Sequence, residues 1–146
     1  MSEKPTNLRT SLVTELHVND IDVSLSFWQD VLGFQVSYQR PEEKFVYLVQ
    51  DDAEIMLCQR HGRYETGAME SPLGQGMMFQ IYVDSIEPIL AALSAMDWPL
   101  YEPLRDAWYR TGDQESGMRQ FFIQDPDGYL ILVAESLGER AIQAQS

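Results

Sequence analysis

The sequence predicts an α+β protein made of two βαβββ modules in a pseudo-twofold arrangement, forming a curved, barrel-like sheet around a cleft. Three observations predict it. First, the chain repeats itself: a shift of 65 positions lays Asp20-Ile21 on Ser85-Ile86. Second, each of these pairs sits between an apolar strand pattern and a helical one, in Leu12–Phe34 and again in Met77–Leu100. Third, a shift of 75 lays Asp51-Asp52 on Pro126-Asp127, and Ile55–Cys58 on Leu130–Val133. Growth of the shift from 65 to 75 predicts about ten residues inserted in the second copy, between its helix and its last hairpin.

The elements follow in order. Residues 1–10 are a polar N-terminal tail, 11–60 the first module, 61–76 a connector, 77–136 the second module and 137–146 a C-terminal tail, helical or unstructured. Ser11–Val18 reads as a strand. Asp20 is placed to cap a helix, because its carboxylate can accept the unpaired N–H groups of the first turn. Val23, Phe27, Trp28, Val31 and Leu32 give that helix an apolar face, and Gly33 ends it. Phe34–Tyr38, Lys44–Gln50 and Ala53–Gln59 read as strands, with Asp51-Asp52 turning the last two. Gly62, Gly67, Pro72, Gly74 and Gly76 break the connector. In the second copy Ser85 caps a helix with Pro88 in its first turn, where a missing N–H is harmless. Ile89, Leu90, Leu93 and Met96 form its buried face. Strands are expected near Leu100, over Met118–Gln124 and over Tyr129–Ala134, with Asp125-Pro126-Asp127-Gly128 as a tight turn. Arg105–Gly117 reads as the inserted polar loop.

Composition narrows the function. At 146 residues and 45% hydrophobic, with 3 Trp, 7 Tyr and 6 Phe, the chain can fill a core. It has no apolar run of about 18 residues to span a membrane. Its start, Met-Ser-Glu-Lys-Pro, has no apolar signal core, and the single Cys58 suits a reducing cytoplasm. A net charge of −13 repels nucleic acid and anionic membranes and favours a cationic ligand; alternatively the acidity serves solubility alone.

Ser24-Leu25-Ser26-Phe27-Trp28-Gln29-Asp30-Val31-Leu32-Gly33-Phe34 in the first copy, and Gly117-Met118-Arg119-Gln120-Phe121-Phe122-Ile123-Gln124 before Asp125-Pro126-Asp127-Gly128 in the second, resemble the vicinal oxygen chelate superfamily. This superfamily includes glyoxalase I, extradiol dioxygenases, and fosfomycin and bleomycin resistance proteins. The resemblance covers about residues 11–136. It implies four metal-ligand positions, at Val13, Leu57, Met78 and Leu132. None of these has a side chain that a hard or borderline divalent ion would accept, so neither a metal nor another cofactor is expected. The chain is most similar to the bleomycin resistance branch, through Phe27-Trp28, Gly112-Asp113-Gln114, Arg119, Phe121 and the pocket aromatic Phe45. That likeness implies a homodimer that sequesters a bulky cationic antibiotic without altering it. Gln80 and Ser116 depart from the branch where it carries pocket Trp residues. Each lost platform removes about 0.5–1.5 kcal/mol of stacking.

Strand alternation assigns the cleft. Glu15 and His17 share the face of Val13, and Gln80 and Tyr82 share that of Met78. Phe45 and Tyr47 are cleft walls or core, with Gln120 and Phe122 as their counterparts. The expected ligand-binding set is Glu15, His17, Phe45, Tyr47, Leu57, Met78, Gln80, Tyr82, Phe122 and Leu132. Glu15 and His17 read as an acid–base pair, a grip on a cation, or a structural hydrogen bond; pairing of Glu15 with Arg119 is a further option. Met56, Met77 and Cys58 read as core filler, and His61 as simply exposed. Trp108 and Tyr109 read as a lid, a subunit contact or a plug.

Three functions fit. The first is a cofactor-free homodimer that binds a small organic ligand, a cationic antibiotic among the candidates. The second is a lyase, isomerase or dioxygenase-like enzyme with a displaced metal or a Glu15/His17 acid–base pair. The third is a partner-binding protein with a vestigial cleft.

Overall fold

A computed structural model of the chain describes residues 10–143. The chain divides at Ser71/Pro72 into two units, each with a four-stranded sheet. The fold is the expected two-module α+β type. The expected N-terminal tail lies outside the described residues except for Thr10, as do residues 144–146.

In unit 1, β1 (Thr14–Val18) leads into α1 (Ile21–Ser26), which widens into a π-helical turn over Phe27–Val31. Asp20 caps α1, its carboxylate accepting the N–H groups of Asp22 and Val23. The wide turn carries Phe27, Trp28, Val31 and Leu32 into the core. Val23, one turn earlier, stays half-exposed, and Ser24 takes the buried place instead. β2 (Gln35–Arg40), β3 (Phe45–Gln50) and β4 (Ala53–Gln59) follow, in the order β1-β4-β3-β2, with β1 parallel to β4.

Unit 2 repeats this topology. β5 (Met78–Tyr82), α2 (Glu87–Ala95), β6 (Glu102–Thr111), β7 (Gln114–Gln124) and β8 (Leu130–Ala141) form a sheet in the order β5-β8-β7-β6, with β5 parallel to β8. The Ser85 hydroxyl accepts the Glu87 N–H, and Glu135 accepts that of Ile86. Ile86, Ile89 and Leu93 are buried, whereas Met96, in the cap after α2, is exposed.

Register fixes which residues share a face. In unit 1, Leu16 pairs with Leu57 and Leu57 with Val46, all buried. On the other face, Glu15 pairs with Met56, His17 with Cys58, and Cys58 with Phe45. In unit 2, Ile81, Val133 and Phe121 share one face, while Gln80, Leu132 and Phe122 share the other.

Besides Val23 and Met96, three expectations change. Leu57 lies on the face opposite Glu15 and His17, and Met56 is the true counterpart of Leu132: Glu15 pairs with Met56 as Gln80 pairs with Leu132. The cause is turn length. Gln50 pairs with Ala53 around Asp51 and Asp52 alone, whereas the Asp125 N–H bonds the Tyr129 carbonyl around Pro126, Asp127 and Gly128. Gly128 supplies the left-handed conformation, at φ +98°. The second change is that Arg105–Gly117 is no loop. It extends β6 and β7 as a hairpin turning at Gly112 and Asp113. The third is that the tail continues the sheet: Ala141 pairs with Gln114 and Gly138 with Gly117. Inserted residues and tail satisfy each other's backbone groups as one three-stranded ribbon.

Candidate functional site

One sheet face of unit 1 presents Glu15 and His17. Buried Phe45, Tyr47 and Cys58 pack together there, with Val13, Val49 and Met56 around them. Tyr38 stacks on Tyr47, with ring centroids 4.9 Å apart and planes at 18°. The Arg40 guanidinium lies 4.0 Å from the centre of the Phe45 ring and bonds Glu43 at 2.8 Å. Tyr47 donates to Glu54 Oε2 at 2.7 Å; burial and that carboxylate push its hydroxyl well above the usual phenol range.

Glu15 and His17, two apart on β1, meet with Oε2 and Nε2 2.8 Å apart. His17 is buried, and its ring touches those of His61 (4.8 Å) and Tyr64 (5.3 Å). Cys58 is a buried free thiol. Burial raises its pKa, helped by the charges of Glu15 and Glu43 and opposed by Arg40. The ligating atoms of His17, Cys58 and His61 lie within 4.8 Å of one another. Beside them opens a groove of about 590 Å³, lined by Glu15, Arg40, Phe45, His61, Arg63 and Tyr64 among others.

The equivalent face of unit 2 is looser. Leu132, Met118 and Ala134 are buried with Phe122 against them, but Met78 and Tyr82 are 47% and 60% exposed. Gln80 and Tyr82 both donate to the Met118 sulfur, a weak acceptor. Gln120 is buried and donates to Tyr109 at 2.8 Å, while its Oε1 has no partner among the described residues.

The sequence therefore placed Glu15, His17, Phe45 and Tyr47 on one face of unit 1, and Met78, Gln80, Tyr82, Phe122 and Leu132 on one face of unit 2. Leu57 does not join them. Arg119 pairs with Asp106 at 2.9 and 3.2 Å across β6 and β7, in an exposed ion pair that replaces the expected option of a bond to Glu15. Its guanidinium holds the Asp106 carboxyl below the usual range. Trp108 and Tyr109 stand on a strand. Trp108 lies against Gly117 with Arg140 4.0 Å over its ring. Missed altogether was the grouping of Cys58 and His61 with His17. The available signal was the repeat itself: a βαβββ unit pairs its first and last strands, which sets Cys58 beside His17.

The positions that the sequence resemblance marks for a metal are, with the register corrected, Val13 and Met56 in unit 1 and Met78 and Leu132 in unit 2. Two aliphatic chains and two thioethers do not fit the divalent ion of such sites.

Residues 11–133 match the family model described as the Glyoxalase/Bleomycin resistance protein/Dioxygenase superfamily. Among solved structures, the chain is 40% identical to a glyoxalase/bleomycin resistance protein/dioxygenase superfamily member from Vibrio splendidus 12B01, over 84% of this chain and 95% of that one, with a TM-score of 0.39. It is 22% identical to a lactoylglutathione lyase from Agrobacterium tumefaciens (90% and 95% covered, TM-score 0.58). It is 15% identical to the fosfomycin resistance protein FosX from Listeria monocytogenes (87% and 91% covered, TM-score 0.59). The last two share its fold. No curated protein sequence matches the chain.

Proposed function

Because the chain belongs to the glyoxalase/bleomycin resistance protein/dioxygenase superfamily, we propose that it is a homodimeric small-molecule-binding protein that sequesters an organic ligand and leaves the superfamily's metal positions unused. The observation that carries this reading is the groove of about 590 Å³ on the polar–aromatic face of unit 1. Its volume suits a drug-sized molecule. Tyr64, half-exposed, offers flat apolar surface, while Phe45 lies buried beneath the Arg40 guanidinium. The lining carries both signs: Glu15, Glu42 and Glu43 against Arg40, Lys44, Arg60 and Arg63, with Arg40 paired to Glu43 and Arg60 to Glu65. The preference for a cation, an antibiotic among the candidates, rests on the long-range field of a chain with net charge −13. The buried free Cys58 supports a reducing compartment, the cytoplasm. Among the described residues no helix is long and apolar enough to cross a membrane.

Calorimetric titration with planar organic cations, bleomycin-type compounds included, tests the reading. Saturable binding is expected, weakened about 2- to 10-fold by Tyr64→Ala through the loss of ring stacking. Absence of saturable binding to the whole panel would remove the sequestration reading. Unchanged drug sensitivity in overexpressing cells would remove its antibiotic version. Sedimentation gives the oligomeric state.

The Glu15–His17 contact at 2.8 Å supports a second reading, general acid–base catalysis by a lyase or isomerase. Under it Glu15→Gln abolishes turnover; under the first it only weakens binding.

A further inference from the structure

We propose that His17, Cys58 and His61 form a site for one borderline divalent cation of the zinc type, at the edge of the unit 1 sheet and apart from the positions the superfamily uses. The proposal goes beyond the organic-ligand reading and does not depend on it.

Topology brings the three residues together. His17 and Cys58 are register partners on the parallel strands β1 and β4, so both side chains leave the same face of the sheet. His61 follows just beyond β4. The chain there is held close to β1, because the Arg60 N–H bonds the Val18 carbonyl at 2.9 Å. The Arg60 guanidinium also bonds Asn19 and Glu65. A further backbone bond, from Glu65 N–H to the Gly62 carbonyl, closes the following turn. This fastening sets the His61 ring against that of His17, with centroids 4.8 Å apart.

The spacing is close to what a metal needs. Zinc bonds of about 2.0–2.3 Å in a tetrahedron set ligand atoms roughly 3.4–3.8 Å apart. The three ligating atoms lie within 4.8 Å, so drawing them in by about 1 Å completes the set. His61 is exposed and can make most of that movement. Its Nδ1 accepts the Arg63 N–H at 3.2 Å, an exposed bond whose loss costs only about 1 kcal/mol.

The donor set selects the ion. One thiolate and two imidazoles suit zinc, cobalt or copper, whereas magnesium and calcium need oxygen. Glu15, bonded to the His17 ring at 2.8 Å, is the carboxylate partner that commonly orients a metal-binding histidine. Three protein ligands leave one coordination position for water or another small ligand.

Cobalt(II) titration of the full chain, freed of metal by chelation, tests the site. Expected are one equivalent bound, a thiolate-to-cobalt charge-transfer band in the near ultraviolet, displacement by zinc, and no response to magnesium. Cys58→Ser should abolish the band. His61→Ala, at an exposed position that leaves the core intact, should weaken binding of both ions, and Glu15→Gln should weaken it about 10- to 100-fold. Wild-type protein that binds neither ion stoichiometrically would overturn the proposal, as would a band that survives Cys58→Ser or affinity unaltered by His61→Ala. None of these readouts needs an organic ligand or a turnover assay, so the result is separate from the fate of the sequestration reading.

Discussion

The two units share a strand order and a helix-side core, and they part on the opposite face of the sheet. Unit 1 closes that face with Phe45, Tyr47 and Cys58, and ties its polar groups into short contacts: Glu15 with His17, Tyr47 with Glu54. Unit 2 leaves Met78 and Tyr82 exposed and relies on the Met118 sulfur as an acceptor. It places its extra residues in the β6–β7–β8 ribbon instead. The helix side must bury the same apolar stripe in both copies. The other face is free to diverge, and there unit 1 gathers Glu15, His17, Cys58 and His61, the groups we propose to hold an ion.

The largest expected effect tests the shared side. Trp28 is fully buried beneath the π-helical turn of unit 1. Trp28→Ala should cost about 3–5 kcal/mol, read from urea unfolding. Leu93→Ala, the buried counterpart on α2, should cost about 2–5 kcal/mol. A loss below about 1 kcal/mol for either would show that its helix is not part of a packed core.

Next come the turns. A Cβ at Gly128 would stand 2.4 Å from the Pro72 Cβ, at φ +98°. Gly128→Ala should therefore cost more than the roughly 1–2 kcal/mol of a left-handed residue alone. Asp51, at φ +50° in the shorter turn of unit 1, holds a left-handed conformation too, but with a side chain that disfavours it. Asp51→Gly should be neutral or stabilising by up to about 1 kcal/mol, since relieved strain offsets the added chain entropy. Chemical denaturation of both variants gives opposite signs if the turns differ as described; the same sign would erase the distinction.

Those turns also explain how far the sequence could be read. Helix-side residues were legible because apolar periodicity encodes them directly, as at Leu16, Phe27, Trp28 and Leu93. Glu15, His17, Gln80 and Tyr82 were legible because alternation on a short strand leaves little room for slip. Leu57 was misplaced because one extra residue in the Asp125–Tyr129 turn shifts the equivalence to Met56, and a one-residue shift reverses the face. The ribbon was read as a loop because its pairing with residues 136–141 is remote in sequence, and polar strands carry little hydrophobic signal. The His17–Cys58–His61 group needed strand pairing that no local pattern encodes.

The smallest effect separates the units by pH. In unit 2 the Arg119 guanidinium bonds Asp106, lowering its pKa from the ordinary 3.8. A carboxyl depressed in the fold adds stability above its unfolded pKa, and that stability is lost as pH falls through the folded value. Both partners are exposed, so the contribution is slight and salt should screen it. In unit 1 the sign is reversed. Burial and Glu54 raise Tyr47 above the ordinary 10.0, so the neutral phenol stabilises the fold up to its unfolded pKa. That contribution is lost as pH climbs from there through the higher folded value. Urea midpoints should then show a weak acid-side dependence that Asp106→Asn flattens, and an alkaline one that Tyr47→Phe flattens. Tyr47 should give the larger slope, because its ring is 2% exposed and water screens it least. Equal flattening by both variants on the same side of neutrality would mean that these groups do not titrate where their partners place them.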